Sequence, residues 1–86
     1  MDPYTIIKYP LSTEKSIRLM EAENKLIFVV NKKSTKKEIK KAIEEMFKVI
    51  VVDVKTLVSQ DSEKRAYVKF SAKNPAIDIA TQMGLM

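Results

Sequence analysis

The chain has no cysteine and no histidine. The first absence removes disulfides and thiolate metal sites, and it fits an intracellular compartment. The second removes the side chain that most often serves as a general acid or base near neutral pH. A catalyst would have to work with Asp, Glu, Lys or Tyr. Two acidic groupings are candidates, Glu44-Glu45 on the outer side of a helix and Glu21/Glu23 at a helix end. Neither comes with a glycine-rich phosphate loop, a metal-ligand spacing or a nucleophile motif. They read as solvated surface acids, and the chain as a protein that is no enzyme and needs no cofactor or metal.

Glycine occurs once and proline three times in 86 residues. Long loops and low-complexity linkers are therefore not expected, and no repeat or composition break divides the chain. Residues 1–86 form a single domain, near the lower end of sizes that fold on a hydrophobic core alone. The apolar fraction of 45% and charged fraction of 31% suit a soluble globular chain. Long apolar runs are also missing: the longest, residues 26–30 and 49–52, fall far short of a membrane span. The opening MDPYTIIKYP lacks the basic and apolar regions of a signal peptide. A cytoplasmic, unprocessed protein without direct membrane insertion is expected.

What is present is regular periodicity. Residues 4–8 (YTIIK) form a short β-rich run that Pro10 ends. Ser12 or Thr13 then starts a helix to about Glu23, because short hydroxyl side chains cap free backbone N–H groups. Residues 25–31 (KLIFVVN) read as a buried strand. Thr35 and Glu38 fit a capping box, and behind it Ile39, Ala42, Ile43, Met46 and Phe47 share one helical face. Residues 49–59 read as a long strand with Ile50, Val52, Val54, Thr56 and Val58 on one side. Residues 64–71 alternate, with Ala66, Val68 and Phe70 inward and Arg65, Tyr67 and Lys69 outward. The short link 60–63 makes these two an antiparallel hairpin. Asn74-Pro75 signals a last helix, with Ala76, Ile79, Ala80 and Met83 as its stripe and Gly84 as its stop. The order β-α-β-α-β-β-α, with a right-handed crossover and the hairpin strand slotted between its neighbours, predicts an α/β (α+β) sandwich. Its four-stranded sheet is mainly antiparallel.

Charge is the uneven feature. Residues 31–41 (NKKSTKKEIKK) carry six lysines and one acid, a net +5 that equals the formal charge of the whole chain. On a helical wheel Lys36 and Lys40 flank the apolar face, Lys37, Lys41 and Lys48 point outward, and Lys32 and Lys33 extend the basic surface ahead of the cap. A solvated helix surface would explain lysines, but not their order. Cations near a helix N-terminus oppose the macrodipole, as do Glu44 and Glu45 near its C-terminus, each by about 0.3–1 kcal/mol. The Lys40–Glu44 and Lys41–Glu45 pairs also run in the weaker orientation. Such a layout calls for a polyanion partner. The helix needs its apolar face for the core and the chain has no Trp, which argues against a membrane surface. Lysines bind phosphate more than base edges, so structured RNA suits the set better than DNA.

Four stretches then resemble a known family. They are 10–16 (PLSTEKS), 24–26 with 31–44 (NKL and NKKSTKKEIKKAIE), 54–57 (VKTL) and 64–70 (KRAYVKF). In this order they are similar to the motifs of the universal large-subunit ribosomal protein twenty-three family, with Phe70 where that family usually has Leu. The resemblance implies an α/β sandwich on an antiparallel sheet. It also implies binding to large-subunit rRNA beside the peptide tunnel exit, among neighbouring large-subunit ribosomal proteins. Family members there form a docking site for signal recognition particle, the translocation channel and nascent-chain factors. The short link 60–63 resembles the archaeal form, so no tunnel-lining loop is carried over. Phosphate neutralisation falls to Lys15, Lys32, Lys33, Lys36, Lys37, Lys40, Lys41, Lys64, Arg65 and Lys69. Tyr67 either stacks on a base or covers the sheet, and Arg18 is either solvated or in contact. A non-ribosomal RNA-binding module and a basic protein-interaction adaptor are the alternatives.

Overall fold

The structure is a computed structural model that describes residues 3–11, 13–58 and 63–83. Its elements are α1 (Pro3–Ile6), β1 (Ile7–Pro10), α2 (Glu14–Glu23), β2 (Lys25–Val30), α3 (Lys36–Phe47), β3 (Val51–Val58), β4 (Lys64–Phe70) and α4 (Ala76–Gln82). Apart from the added turn α1, this is the expected order. The sheet runs β1-β2-β4-β3, and every pairing is antiparallel. Because β2 and β3 both oppose β4, they are parallel to each other. α3 is the crossover between them, and β4 fills the gap it leaves.

The alternation along β4 sets the layers. Ala66, Val68 and Phe70 point to one face and are fully buried there with Leu26, Phe28 and Val30 of β2. Ile39, Ala42 and Ile43 of α3 close that core, with Ala76, Ile79 and Ala80 of α4 and Ile6 of α1. Burial of each large side chain of this set contributes about 1.5–3 kcal/mol, which is why α3 holds its apolar residues at helical spacing. On the opposite face Ile27 and Val29 are buried as well, at 3% and 2% exposure. The uninterrupted run LIFVV thus belongs to a central strand whose side chains are buried on both faces of the sheet.

The helix starts obey local rules. Thr13 caps α2: its hydroxyl accepts from Ser16 N, while Ser16 Oγ accepts from Thr13 N. Thr35 and Glu38 exchange the same two bonds at α3.

Five expectations need correction. The N-terminal strand is Ile7–Pro10, because residues 3–6 form a helical turn that packs on α3. The Ile6 carbonyl there accepts from Asn31 N at 2.7 Å. Pro10 sits inside the strand rather than beyond it, tolerated because β1 is a sheet edge and needs fewer backbone donors. In β3 the register slips by one residue between Val51 and Asp53. This bulge turns Val51 inward with Val54 and leaves Val52 58% exposed, so Val52 does not share the buried face. Asn74 does not cap α4; its Oδ1 accepts from Ile50 N at 3.0 Å, and Pro75 stands at the cap. Glu44 is no free surface acid either: it is half-buried, and Oε2 accepts from Val51 N at 3.2 Å. Gly84 and most of the 60–63 link lie outside the described residues.

Candidate nucleic-acid interface

The basic candidates separate onto the two sides of the sheet. Lys32, Lys33, Lys36, Lys37, Lys40 and Lys41 are all exposed and lie on or just before α3. Asn31 organises the approach, its Oδ1 accepting from Lys33 N and its carbonyl from Ser34 N, both at 3.0 Å. Lys36, Lys37 and Lys40 border a shallow groove with Val52, Asp53 and Val54 of β3. Lys41 lies on the other flank, beside Glu38 and Glu45. Among the described residues none of these six lysines is in an ion pair; the pair present there is Lys25–Glu23, at 3.2 Å. Their charge is therefore not neutralised within the fold.

Lys64 departs from the set. It starts β4 on the helix-covered side, and its ammonium donates to the Ser34 carbonyl. That bond ties the sheet to the loop before α3, so its role in the free protein is to hold the two together.

Lys15, Arg65 and Lys69 belong to the opposite, open face. Cross-strand pairs there run Val29–Arg65–Leu57, Ile27–Tyr67–Lys55 and Lys25–Lys69–Asp53. Lys15 of α2 holds its ammonium 5.5 Å from the Tyr67 ring centroid, within cation–π range. At the rim the Tyr9 hydroxyl donates to Glu63 Oε2 at 2.9 Å. That bond raises the Tyr9 phenol above its ordinary value; desolvation and the Glu63 charge add to the rise, and Arg65 opposes it. Lys55 is a member of this face that sequence reasoning missed. Its place opposite Tyr67 depends on the β3–β4 register, which spacing alone does not show.

Other residues missed by sequence reasoning are structural. Asn24 ends α2 in the left-handed conformation, φ 57°. Its Oδ1 accepts from Ala76 N at 2.6 Å, while Nδ2 is shared among the carbonyls of Phe70, Ser71 and Asn74 at 3.1–3.2 Å. The available signal was an Asn just past a helical pattern, where a left-handed residue is common.

Among the described residues no group of three or more metal-ligating side chains occurs, and no helix is long and apolar enough to cross a membrane. Fold and surface together define a class: a small α+β module with cationic groups on both sides of one sheet. The family follows from comparison. A model described as Ribosomal protein L23 matches residues 5–81, and the chain belongs to that family of structural ribosomal proteins, which are not enzymes. It is 40% identical over 85 residues to the large ribosomal subunit protein uL23 of Methanococcus aeolicus, covering 99% of both chains. Identity to the uL23 of Methanothermobacter thermautotrophicus is 46%, again over 99% of both. Against the uL23 of Trypanosoma brucei brucei it is 44%, over 99% of this chain and 52% of that one. The resemblance read from the four motifs is borne out, and two of these three relatives are archaeal.

Proposed function

We propose that this protein, as a structural constituent of the large ribosomal subunit, binds large-subunit rRNA near the peptide tunnel exit. There it helps form the docking site for signal recognition particle and the translocation channel. The observation that carries the RNA part is the exposed, unpaired lysine surface of residues 32–41. Cations in the first turns of α3 weaken the helix by opposing its dipole. A phosphate backbone offsets that cost by accepting their charge and releasing counterions. For protein neighbours, the support is the edge strand β3. Val52, Leu57 and Val58 of this strand and Ile50 just before it are each more than half exposed, and exposed apolar side chains along a sheet edge suit a protein contact.

A salt titration with fragments of large-subunit rRNA tests the reading. Log affinity should fall steeply with log salt. Neutralising Lys36, Lys37, Lys40 and Lys41 to Gln should flatten that slope by up to about 0.9 per lysine that meets a duplex phosphate. Absence of binding at low salt would overturn the proposal.

A further inference from the structure

The open face of the sheet has what a phosphate-binding surface does not need: an aromatic ring presented by its face. Tyr67 is half-buried in the central strand β4, between Ile27 and Lys55. What lies over its ring is the ammonium of Lys15, at the end of a flexible exposed side chain. Such a cap exchanges readily. Lys55 and Lys69 are exposed on the same face. Beside them Arg65 keeps its Nε buried, with no hydrogen-bond partner among the described residues. An unpaired buried donor is costly in the free protein and gains when a ligand lets the guanidinium find an acceptor. Among the described residues the acids at this face include Asp53, across from Lys69, Glu63, bonded by Tyr9, and Glu23, paired with Lys25.

We propose that this face binds a single unpaired nucleotide of RNA, with its base stacked on Tyr67. This deepens the rRNA reading above and rests on it. The base replaces the Lys15 ammonium over the ring, and Lys15, Lys55 and Lys69 take the flanking phosphates. Arg65 supplies planar donors to an acceptor on the base edge or the phosphate. A base is the fitting occupant because it brings both a π-face for the ring and a negative backbone for the lysines. A duplex keeps its bases stacked internally and offers the ring nothing. An acidic peptide meets the lysines, but its carboxylates are repelled by the negative ring face.

The lack of tryptophan makes tyrosine emission readable, and Tyr67 is one of three tyrosines. The probes are a single-stranded oligoadenylate of about eight nucleotides, a duplex RNA and a polyglutamate peptide. Wild type, Tyr67→Leu and Tyr67→Phe are compared after circular dichroism establishes folding. The oligoadenylate should quench wild-type emission. Tyr67→Leu should bind it roughly ten-fold to a hundred-fold more weakly with an unchanged salt slope, since stacking releases no counterions. Tyr67→Phe should keep the affinity and lose the quench, and duplex binding should be equal in all three. Equal single-strand affinity of wild type and Tyr67→Leu, or stronger quenching by polyglutamate, would overturn the stacking site. With rRNA fragments bound by wild type, that result leaves the rRNA reading standing; failure of wild type to bind them overturns both.

Discussion

The residue that joins most of the fold is Asn24, which no charge or periodicity argument singles out. It ends α2 at φ 57°, its carbonyl accepts from Phe70 N, and its side chain spans the end of β4 and the start of α4. Asparagine is suited to this place because it tolerates the left-handed region and carries a donor and an acceptor on a short arm. Two substitutions separate those properties. Asn24→Gly keeps the backbone conformation but loses the side-chain bonds, at about 0.5–1.5 kcal/mol for each bond not replaced by water. Asn24→Ala loses the same bonds and also forces a Cβ into the left-handed region, for about 1–2 kcal/mol more. Urea or thermal unfolding should rank wild type above Asn24→Gly, and Asn24→Gly above Asn24→Ala. Each 1 kcal/mol is worth roughly 4–8 °C in a domain of this size. Equal stabilities for Gly and Ala would show that the backbone conformation carries no strain.

At the scale of the element, α3 serves packing and charge from one run of residues. Ile39, Ala42 and Ile43 are buried, while the lysines one position away are exposed. The N-terminal lysines oppose the helix dipole, so removing them should help the fold and harm the binding. The double variant Lys36→Glu, Lys37→Glu should unfold at higher temperature, by about 0.3–1 kcal/mol per site, and bind rRNA fragments more weakly at low salt. A variant less stable than wild type would mean that these lysines have structural partners. This division was legible from the sequence because a helix needs only its own spacing to assign faces. Both capping boxes obey equally local rules, although the serine partner of Thr13 is less familiar than the glutamate of Thr35. The strands were less legible. The N-terminal Ile6-Ile7 pair favours β structure locally, yet the chain turns at Ile6 because α1 packs on α3 and the Ile6 carbonyl meets Asn31 N. The bulge after Val51 and the bond of Asn74 to Ile50 depend on contacts between distant segments, as do the neighbours of Tyr67. Half of the candidate interface, the α3 surface, could thus be read in advance. Of the other half, the open face, alternation along residues 64–70 turned Arg65, Tyr67 and Lys69 outward in advance, while Lys55 across from Tyr67 and Lys15 over its ring waited for the register of β4 and the placing of α2.

At the scale of the whole molecule, those halves look in opposite directions. The Cα positions span 29 × 26 × 22 Å, so the sheet and the helix layer separate two cationic faces by more than a Debye length of about 8 Å at physiological salt. Charges that far apart act nearly independently, and substitutions without shared partners add in free energy to within about 0.3–0.5 kcal/mol. An rRNA that folds around the protein meets both faces; one that docks on a single side leaves the other for proteins. The lysines on α3 and the pairing of Lys15 with Tyr67 beneath it on the far side favour contact with both. Two neutralised sets decide between these arrangements: Lys36, Lys37, Lys40 and Lys41 to Gln on one face, and Lys15, Lys55 and Lys69 to Gln on the other. With fragments of large-subunit rRNA large enough to surround the domain, each set should flatten the salt dependence alone. The combined variant should show the sum of the two changes, because each counterion released belongs to one phosphate contact. If the sheet-face set leaves the slope unchanged, with or without the α3 lysines, the RNA meets one side only. The open face, with its ring and its lysines, would then be turned toward protein.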